Sequence, residues 1–195
     1  MNKTLLIALM LGCVTLSGCG SANNQSPPLA GARMGGAFSL INQDGKTVSD
    51  RDFTGQYRLV YFGYSFCPDV CPVDVQRLMQ GYRKFEVDNQ KAASRLQPIF
   101  ITVDPQRDTP AVLKQFVAAF HPRLIGLTGS EVQIAEVAKR YAVVYQKADG
   151  GTKDSYLVDH SRTAVLYAPD GSPVALIPHD GSAEAIATEL TRWVR

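Results

Sequence analysis

Residues 59–72, LVYFGYSFCPDVCP, join an apolar run to a loop that contains two cysteines. The run 59–62 predicts a buried strand. A helix is predicted over 73–85, because apolar residues recur there at helical spacing. Cys67 and Cys71 would therefore lie between a core strand and the N-terminus of a helix, where backbone N–H groups and the helix dipole favour thiolates. The stretch predicts reactive or metal-binding cysteines.

Strand and helix patterns alternate after this stretch. Strands are predicted at 96–103 and 124–127, and helices at 111–120 and 131–141. Thr109 and Pro110 have the residue types of a helix N-cap and first helical position, which supports a helix start at this point. A repeated strand–helix–strand order predicts a parallel sheet.

The remaining elements flank this core. A hairpin is predicted from 37–41 and 46–49, a second strand pair from 163–167 and 174–177, and a closing amphipathic helix over 183–194. A polar, glycine-rich loop at 148–153 would form an excursion before the segment that contains His160. The predicted fold class is therefore α/β, a thioredoxin-like domain with an N-terminal hairpin and an inserted loop.

Length and composition suit one globular domain. The chain has 195 residues, of which 45% are hydrophobic, so an ordinary core needs no disulfide staples. Its 20 basic and 18 acidic residues nearly balance, and no basic run or aromatic-basic interleaving is present. The sequence therefore does not predict a nucleic-acid partner.

The N-terminus resembles that of a bacterial lipoprotein precursor. Lys3 precedes an apolar stretch, 5–16, that is too short to span a bilayer comfortably. The sequence Leu16-Ser17-Gly18-Cys19 then resembles the lipobox, whose cysteine becomes the acylated first residue of the mature protein. A plain signal peptide and an uncleaved anchor are the alternatives.

These features predict three segments: a lipoprotein signal peptide at 1–18, a flexible tether at 19–36 and a domain at 37–195. With Cys13 removed and Cys19 acylated, only two thiols would remain in the mature protein. The predicted location is the bacterial cell envelope, with the domain lipid-anchored to a membrane and facing the periplasm or another extracytoplasmic space.

Three residues separate the two remaining cysteines. Cys67 and Cys71 would lie about one helical turn apart, near enough for a disulfide or for two bonds to one metal ion. This spacing is one residue longer than the CxxC of thiol oxidoreductases and suits a larger soft ion. A static structural disulfide is the alternative.

Of the three histidines, His160 is the candidate third ligand, because the predicted topology places its loop opposite the cysteine loop. His121 ends a helix, where the dipole favours a cation, and His179 lies in a turn that is predicted to be solvated. Two thiolates and an imidazole suit copper, as Cu(I) or Cu(II), whereas structural zinc usually takes four protein ligands. Three aspartates would flank such a site or fill a vacancy in it: Asp69, Asp154 and Asp159.

The motifs around these residues resemble those of the Sco/SenC family of copper-binding, thioredoxin-like proteins, which help to assemble the copper centre of cytochrome c oxidase. The matching stretches are Gly63-Tyr64, Cys67-Pro68-Asp69-Val70-Cys71-Pro72, Val103-Asp104-Pro105-Gln106-Arg107-Asp108-Thr109-Pro110, Phe120-His121-Pro122, Gly126-Leu127-Thr128-Gly129 and Val158-Asp159-His160-Ser161. The resemblance implies that Cys67, Cys71 and His160 are copper ligands and that Asp159 lies beside the site. Ser65-Phe66 departs from the threonine and polar residue that the family often has there, which concerns loop polarity and partner contacts.

The resemblance leaves the molecular role open. One reading is a metallochaperone that passes copper to the copper-bearing subunit of cytochrome c oxidase by ligand exchange. The other is a thiol-disulfide reductase in which Cys67 and Cys71 are the redox-active pair and reduce the cysteines of that subunit or of another periplasmic copper chaperone. A thioredoxin-like reductant is a further candidate partner. The first is favoured, because Ser161-Arg162 replaces the proline that thioredoxins carry beside their thiols. A third alternative is a redox sensor or a peroxidase, which would use one low-pKa cysteine together with a second, resolving cysteine.

Overall fold

A computed structural model describes residues 25–152 and 155–195 of the chain. The strands are β1 (Ser39–Asn42), β2 (Thr47–Ser49), β3 (Tyr57–Gly63), β4 (Leu96–Thr102), β5 (Ile125–Thr128), β6 (Tyr145–Lys147), β7 (Val158–His160), β8 (Ala164–Tyr167) and β9 (Pro173–Ile177). The helices are α1 (Val70–Asp88), α2 (Gln90–Ala93), α3 (Pro110–Ala118), α4 (Glu131–Arg140) and α5 (Ala183–Trp193), and a 3-10 turn spans Asp50–Phe53. The predicted signal peptide, Cys19 and Asp154 lie outside the described residues.

Seven strands form one mixed sheet in the order β2-β1-β5-β4-β3-β8-β9. The strands β3, β4 and β5 are parallel, as the strand–helix–strand pattern predicts, while β8, β9 and the β1–β2 hairpin are antiparallel additions at the two sides. The α/β, thioredoxin-like fold class is confirmed. The central strand β3 therefore pairs on both edges, which suits an element that is buried along nearly its whole length.

Side chains of β3 alternate between two apolar clusters. Leu59 and Tyr61 face the cluster that α1, α3 and α5 cover, whereas Val60 and Phe62 face the cluster that α4 covers. This alternation follows from the two-residue period of a strand. The second cluster also contains both candidate cysteines, so the thiols are part of the packed interior.

Helix starts agree with the capping signals in the sequence. Pro110 is the first residue of α3, and the Thr109 hydroxyl accepts a hydrogen bond from the Val112 N–H at 3.4 Å. The cap therefore fixes where α3 begins. The connection 103–109 between β4 and α3, which runs beside the cysteine loop, has a defined end.

A two-stranded ribbon was not predicted. His160 was expected in a loop, but it is the last residue of β7, which pairs antiparallel with β6 so that Tyr145 lies opposite His160. The loop prediction was wrong because β6 and β7 are only three residues each and β6 is largely exposed, so neither shows clear alternation of apolar and polar residues.

The described part of the predicted tether lies against the domain. The Leu29 N–H donates to the Val174 carbonyl at 3.1 Å, and the Gly35 N–H donates to the Arg140 carbonyl at 2.8 Å. Contact with the domain therefore begins at Leu29, eight residues before the predicted boundary at Ala37, although the division into three segments itself stays a prediction. Across the described ranges no helix combines the length and the hydropathy that a membrane span requires.

Helices α1 and α5 approach closely at a glycine. A methyl group added at Gly81 would overlap the Ile186 side chain at its Cβ and lie 3.2 Å from the Ala183 carbonyl oxygen. Real Cβ atoms do not approach so near, so α1 and α5 would have to move apart to admit a side chain.

Gly81→Ala should therefore destabilise the domain by up to about 2 kcal/mol, because an overpacking cost of about 1–3 kcal/mol outweighs the gain of about 1 kcal/mol in helix propensity. Urea denaturation measures the free energy of unfolding. Gln80→Ala on the exposed face of α1 is the control and should change little. In Ile186→Ala, a cavity makes room for the new methyl group, so the Gly81→Ala cost should shrink or vanish in that background. An equal cost in both backgrounds would contradict the close contact.

Candidate metal centre

Cys67 and Cys71 lie where β3 ends and α1 begins. Cys71 is in the first turn of α1 and has no exposed surface, while Cys67 lies in the preceding loop and is 9% exposed. The Cys71 N–H donates to Cys67 Sγ at 3.4 Å. Both residues are free thiols in this structure, which does not contain the static disulfide. A Cβ at Gly63 would lie 3.0 Å from the Tyr61 ring and 3.3 Å from Cys71 Sγ, so a side chain at the strand end would crowd the buried thiol and its neighbours would have to shift by a few tenths of an ångström.

The two thiols differ in acidity. Burial alone would raise the pKa of Cys67, but the backbone N–H groups of Cys71, Asp69 and Val70 together lower it. Burial raises the pKa of Cys71 well above its ordinary value, and the neighbouring Cys67 and Asp74 add to the rise. The expectation that both thiols favour the thiolate therefore agrees with the lowered pKa of Cys67 and is wrong for Cys71, because Cys71 has no exposed surface and only one backbone N–H, that of Tyr64, lowers its pKa.

Asp108 fastens the cysteine loop to the end of β4. Its carboxylate accepts hydrogen bonds from the Ser65 N–H at 3.0 Å, from the Ser65 hydroxyl, and from the Thr102 hydroxyl at 2.6 Å. Burial raises the pKa of Asp108, and the hydrogen bonds that it accepts oppose the rise. Asp108 belongs to the stretch 103–110, which is one of the stretches that carry the family resemblance. One part of that stretch therefore positions the thiol loop.

Another part of the same stretch holds the segment that leads to His160. The Tyr156 hydroxyl donates to the Asp104 carboxylate at 2.6 Å, and the Arg107 guanidinium lies 3.7 Å from the centre of the Tyr156 ring. Arg107 also lies 5.0 Å from the ring of Phe66, which is 49% exposed beside the cysteines. The unusual Ser65-Phe66 pair therefore divides into an anchored serine and a surface aromatic ring.

His160 contacts the buried thiol. Its Nε2 lies 3.1 Å from Cys71 Sγ, and its Nδ1 lies 3.1 Å from the Ser161 carbonyl oxygen. Donation by Nδ1–H to that carbonyl leaves the Nε2 lone pair directed at the sulfur. The ring also stands edge-on to Tyr61 and Tyr64, at centroid distances of 6.3 and 6.1 Å. Burial lowers the pKa of His160, so the neutral, ligating form predominates at neutral pH.

The other two histidines lie away from the thiols and differ from their predictions. His121 is 4% exposed, with its Nε2 3.4 Å from Glu86, and burial lowers its pKa, so the expected cation at a helix end is wrong. His179 was predicted to be solvated, but its side chain is only 16% exposed and lies 3.7 Å from Asp74. The turn after β9 folds back over Tyr61, 6.1 Å from the His179 ring, which explains the difference.

The aspartates divide into exposed and buried groups. Asp69 and Asp159 are exposed and line a pocket of about 220 Å³ together with Cys67 and His160. Asp74, which the sequence reasoning missed, has no exposed surface and lies one helical turn after Cys71. Its spacing of three residues from Cys71 was the available signal, because such residues share a helix face.

The donor atoms suit a soft metal ion. Among residues 25–152 and 155–195, no three His, Cys, Asp or Glu side chains already stand in a coordinating arrangement. Metal–nitrogen and metal–sulfur bonds of about 2.0 and 2.3 Å in a trigonal site would set the ligand atoms roughly 3.5–4 Å apart. The 3.1 Å contact between Cys71 and His160 would therefore have to open by roughly half an ångström. Two sulfurs and one neutral imidazole match the preference of copper.

Comparisons with known proteins agree with the motifs. The SCO1/SenC family model matches residues 26–195. The mitochondrial SCO2 homologue of Bos taurus is 42% identical over 80% of this chain and 58% of its own length, and a SCO2-like protein of Rickettsia felis is 35% identical over 93% and 91%.

Structural comparison gives the same result. The Bradyrhizobium japonicum ScoI structure, solved with copper bound, superposes with a TM-score of 0.74 at 36% identity and covers 82% of this chain and 99% of that one. This chain spans less than two thirds of the bovine relative. The family match nevertheless includes both cysteines, His160 and the whole sheet, and the chain belongs to the SCO1/SenC family.

Proposed function

We propose that this protein is a membrane-anchored metallochaperone that delivers copper for assembly of the CuA centre of cytochrome c oxidase. The observation that supports it best is the 3.1 Å contact between Cys71 Sγ and His160 Nε2, with Cys67 in the adjoining loop. A copper-bound structure of the Bradyrhizobium relative supports the choice of metal. Cys67, Cys71 and His160 are the proposed ligands, and Asp159 would lie beside the metal.

The two thiols would have different parts in loading and release. The lowered pKa of Cys67 and its position in the pocket make its thiolate the first sulfur that copper meets. Cys71, whose pKa is raised, would lose its proton as the metal binds. Because Cys67 is the more exposed of the two sulfurs, it is also the sulfur that a thiolate of the oxidase subunit would replace first during transfer.

A second function is supported by the free thiols. The Cys67 thiolate would attack a disulfide of the oxidase subunit and release one partner thiolate. Cys71 would then attack the mixed disulfide, which leaves a Cys67–Cys71 disulfide here and a second thiol on the partner. The asymmetry in acidity favours this division into attacking and resolving cysteines.

Copper titration tests the ligand set. We expect about one copper ion per chain, with thiolate-to-copper charge-transfer absorption in the Cu(II) form. His160→Ala should weaken Cu(II) binding by more than the roughly 10–100-fold that loss of an outer-shell partner costs. His121→Ala is the matched control, since this histidine packs against Glu86 and Tyr82, and it should bind copper like the parent. A His160→Ala protein with parental Cu(II) affinity would exclude this imidazole as a ligand.

A transfer experiment separates the two functions. Copper-loaded, reduced protein is mixed with an apo oxidase subunit whose cysteines are already reduced, and the metal on each protein is measured after separation. A chaperone should transfer copper under these conditions, since no disulfide remains to be reduced. Retention of copper here, combined with reduction of an oxidised subunit by the metal-free protein, would instead identify the reductase.

The lipobox sequence supports anchoring through Cys19 in the cell envelope, with the domain in the periplasm or another extracytoplasmic space. Acylation contributes about 0.8 kcal/mol per buried CH₂, so more than one chain would hold the domain stably at a membrane. Cys19→Ser in the full-length precursor should abolish acylation and change processing or membrane fractionation. Cys13→Ser is the control and should fractionate like the parent. Unchanged processing and membrane attachment in Cys19→Ser would refute lipidation.

A further inference from the structure

Asp74 is a fully buried carboxylate behind the thiols. It has no exposed surface, and it accepts a hydrogen bond from the Tyr61 hydroxyl at 2.8 Å. His179 Nε2 also faces it, at 3.7 Å. Burying a carboxylate costs free energy unless an opposite charge pairs with it and hydrogen bonds satisfy its oxygens. The cationic partner of Asp74 must therefore stay in hydrogen-bonding position.

That partner is Arg162. Its Nε lies 3.0 Å from one carboxylate oxygen of Asp74, and a terminal nitrogen lies 2.8 Å from the other. This two-pronged arrangement fixes the orientation of the guanidinium as well as its distance, because a planar fork meets a planar carboxylate. The Arg162 side chain is 44% exposed, so the pair extends from the interior to the rim of the metal pocket.

The pair connects the two segments that supply the proposed ligands. Asp74 follows Cys71 by three residues on α1, and Arg162 follows His160 by two residues after β7. β7 belongs to a ribbon separate from the main sheet, where it pairs with the short β6, and its Val158 N–H donates to the Tyr64 hydroxyl at 3.2 Å. These contacts hold β7 to β6 and to the cysteine loop, whereas the Arg162 link joins the segment after β7 to α1. A rigid link at Arg162 therefore limits how far the His160 ring can move from α1.

We propose that the Asp74–Arg162 ion pair is a clamp that positions the His160 ring against Cys71, and that Arg162 is accordingly a positioning residue for copper binding. The inference rests on the proposed copper site. Arg162 would act through His160 by geometry. A direct effect of its charge on the nearby thiolates is the competing explanation.

The primary variant is Arg162→Gln, which removes the fork and the charge. Cu(II) affinity should fall about 10–100-fold, with a changed thiolate-to-copper absorption band, as is typical when a residue that orients a ligand is lost. Arg162→Lys retains the charge without the fork and should recover only part of the affinity. The matched control is Arg140→Gln, which removes an exposed ion pair with Glu136 on α4 and should bind copper like the parent. Gly81→Ala controls for a general loss of stability.

A double-mutant cycle distinguishes position from charge. In a His160→Ala background there is no ring to position, so Arg162→Gln should cause no further loss of copper affinity. An equal loss in both backgrounds would overturn the clamp and support a direct electrostatic effect on the sulfurs.

NMR of the metal-free protein gives a readout independent of copper. In the parent, protons of the His160 ring should show cross-relaxation to the rings of Tyr61 and Tyr64, which stand edge-on to it. These contacts should weaken in Arg162→Gln and persist in Arg140→Gln. If Arg162→Gln does not fold, Asp74→Asn combined with Arg162→Gln leaves no unpaired buried charge and takes its place.

The two hypotheses fail in different ways. A parent protein that binds no copper would contradict the proposed function. The NMR contacts between the His160 ring and the two tyrosine rings would still test the clamp. Parental copper affinity and unchanged ring contacts in the Arg162 variant would overturn the clamp and leave the copper site intact.

Discussion

Burial of Cys71 beneath the end of β3 is the constraint on which the rest of the site depends. The sulfur lies in the apolar cluster between the sheet and α4, and a side chain at Gly63 would crowd it there. That environment disfavours the Cys71 thiolate. Neighbouring groups must therefore stabilise this sulfur when it binds a metal ion or gives up its proton. The His160 imidazole at 3.1 Å and the Cys67 sulfur beside it are the groups that can do so.

Local sequence signals predicted the elements that position the thiols. The apolar run 59–62, the helix predicted over 73–85 and the Thr109-Pro110 cap each result from interactions within a few residues. Each element is present in the structure, although the helix begins three residues early, at Val70, and so includes Cys71. The choice of His160 over the other histidines required topology, and here the resemblance to a family added what periodicity alone does not contain. The structure places that imidazole against the thiol, whereas its role as a ligand remains a proposal.

The features that the sequence did not predict depend on contacts between distant residues. No pattern near Asp74 indicates that Arg162, 88 residues later, will pair with it. Likewise, the spacing of Cys67 and Cys71 predicts two similar thiols, but their acidities differ because three backbone N–H groups lower the pKa of Cys67, whereas one does so at the more deeply buried Cys71. Burial of His179 follows from the path of the chain after β9, which its own neighbours do not specify.

The β6–β7 ribbon has a consequence for which changes in length the protein can tolerate. Tyr145 lies opposite His160, and the side chains of a strand alternate between its two faces. Lengthening the loop at 148–152 leaves this alignment intact, so homologous chains can diverge freely there. A single-residue insertion within β7 would turn the imidazole to the opposite face and away from Cys71. Selection should therefore allow indels in the loop but not within β7.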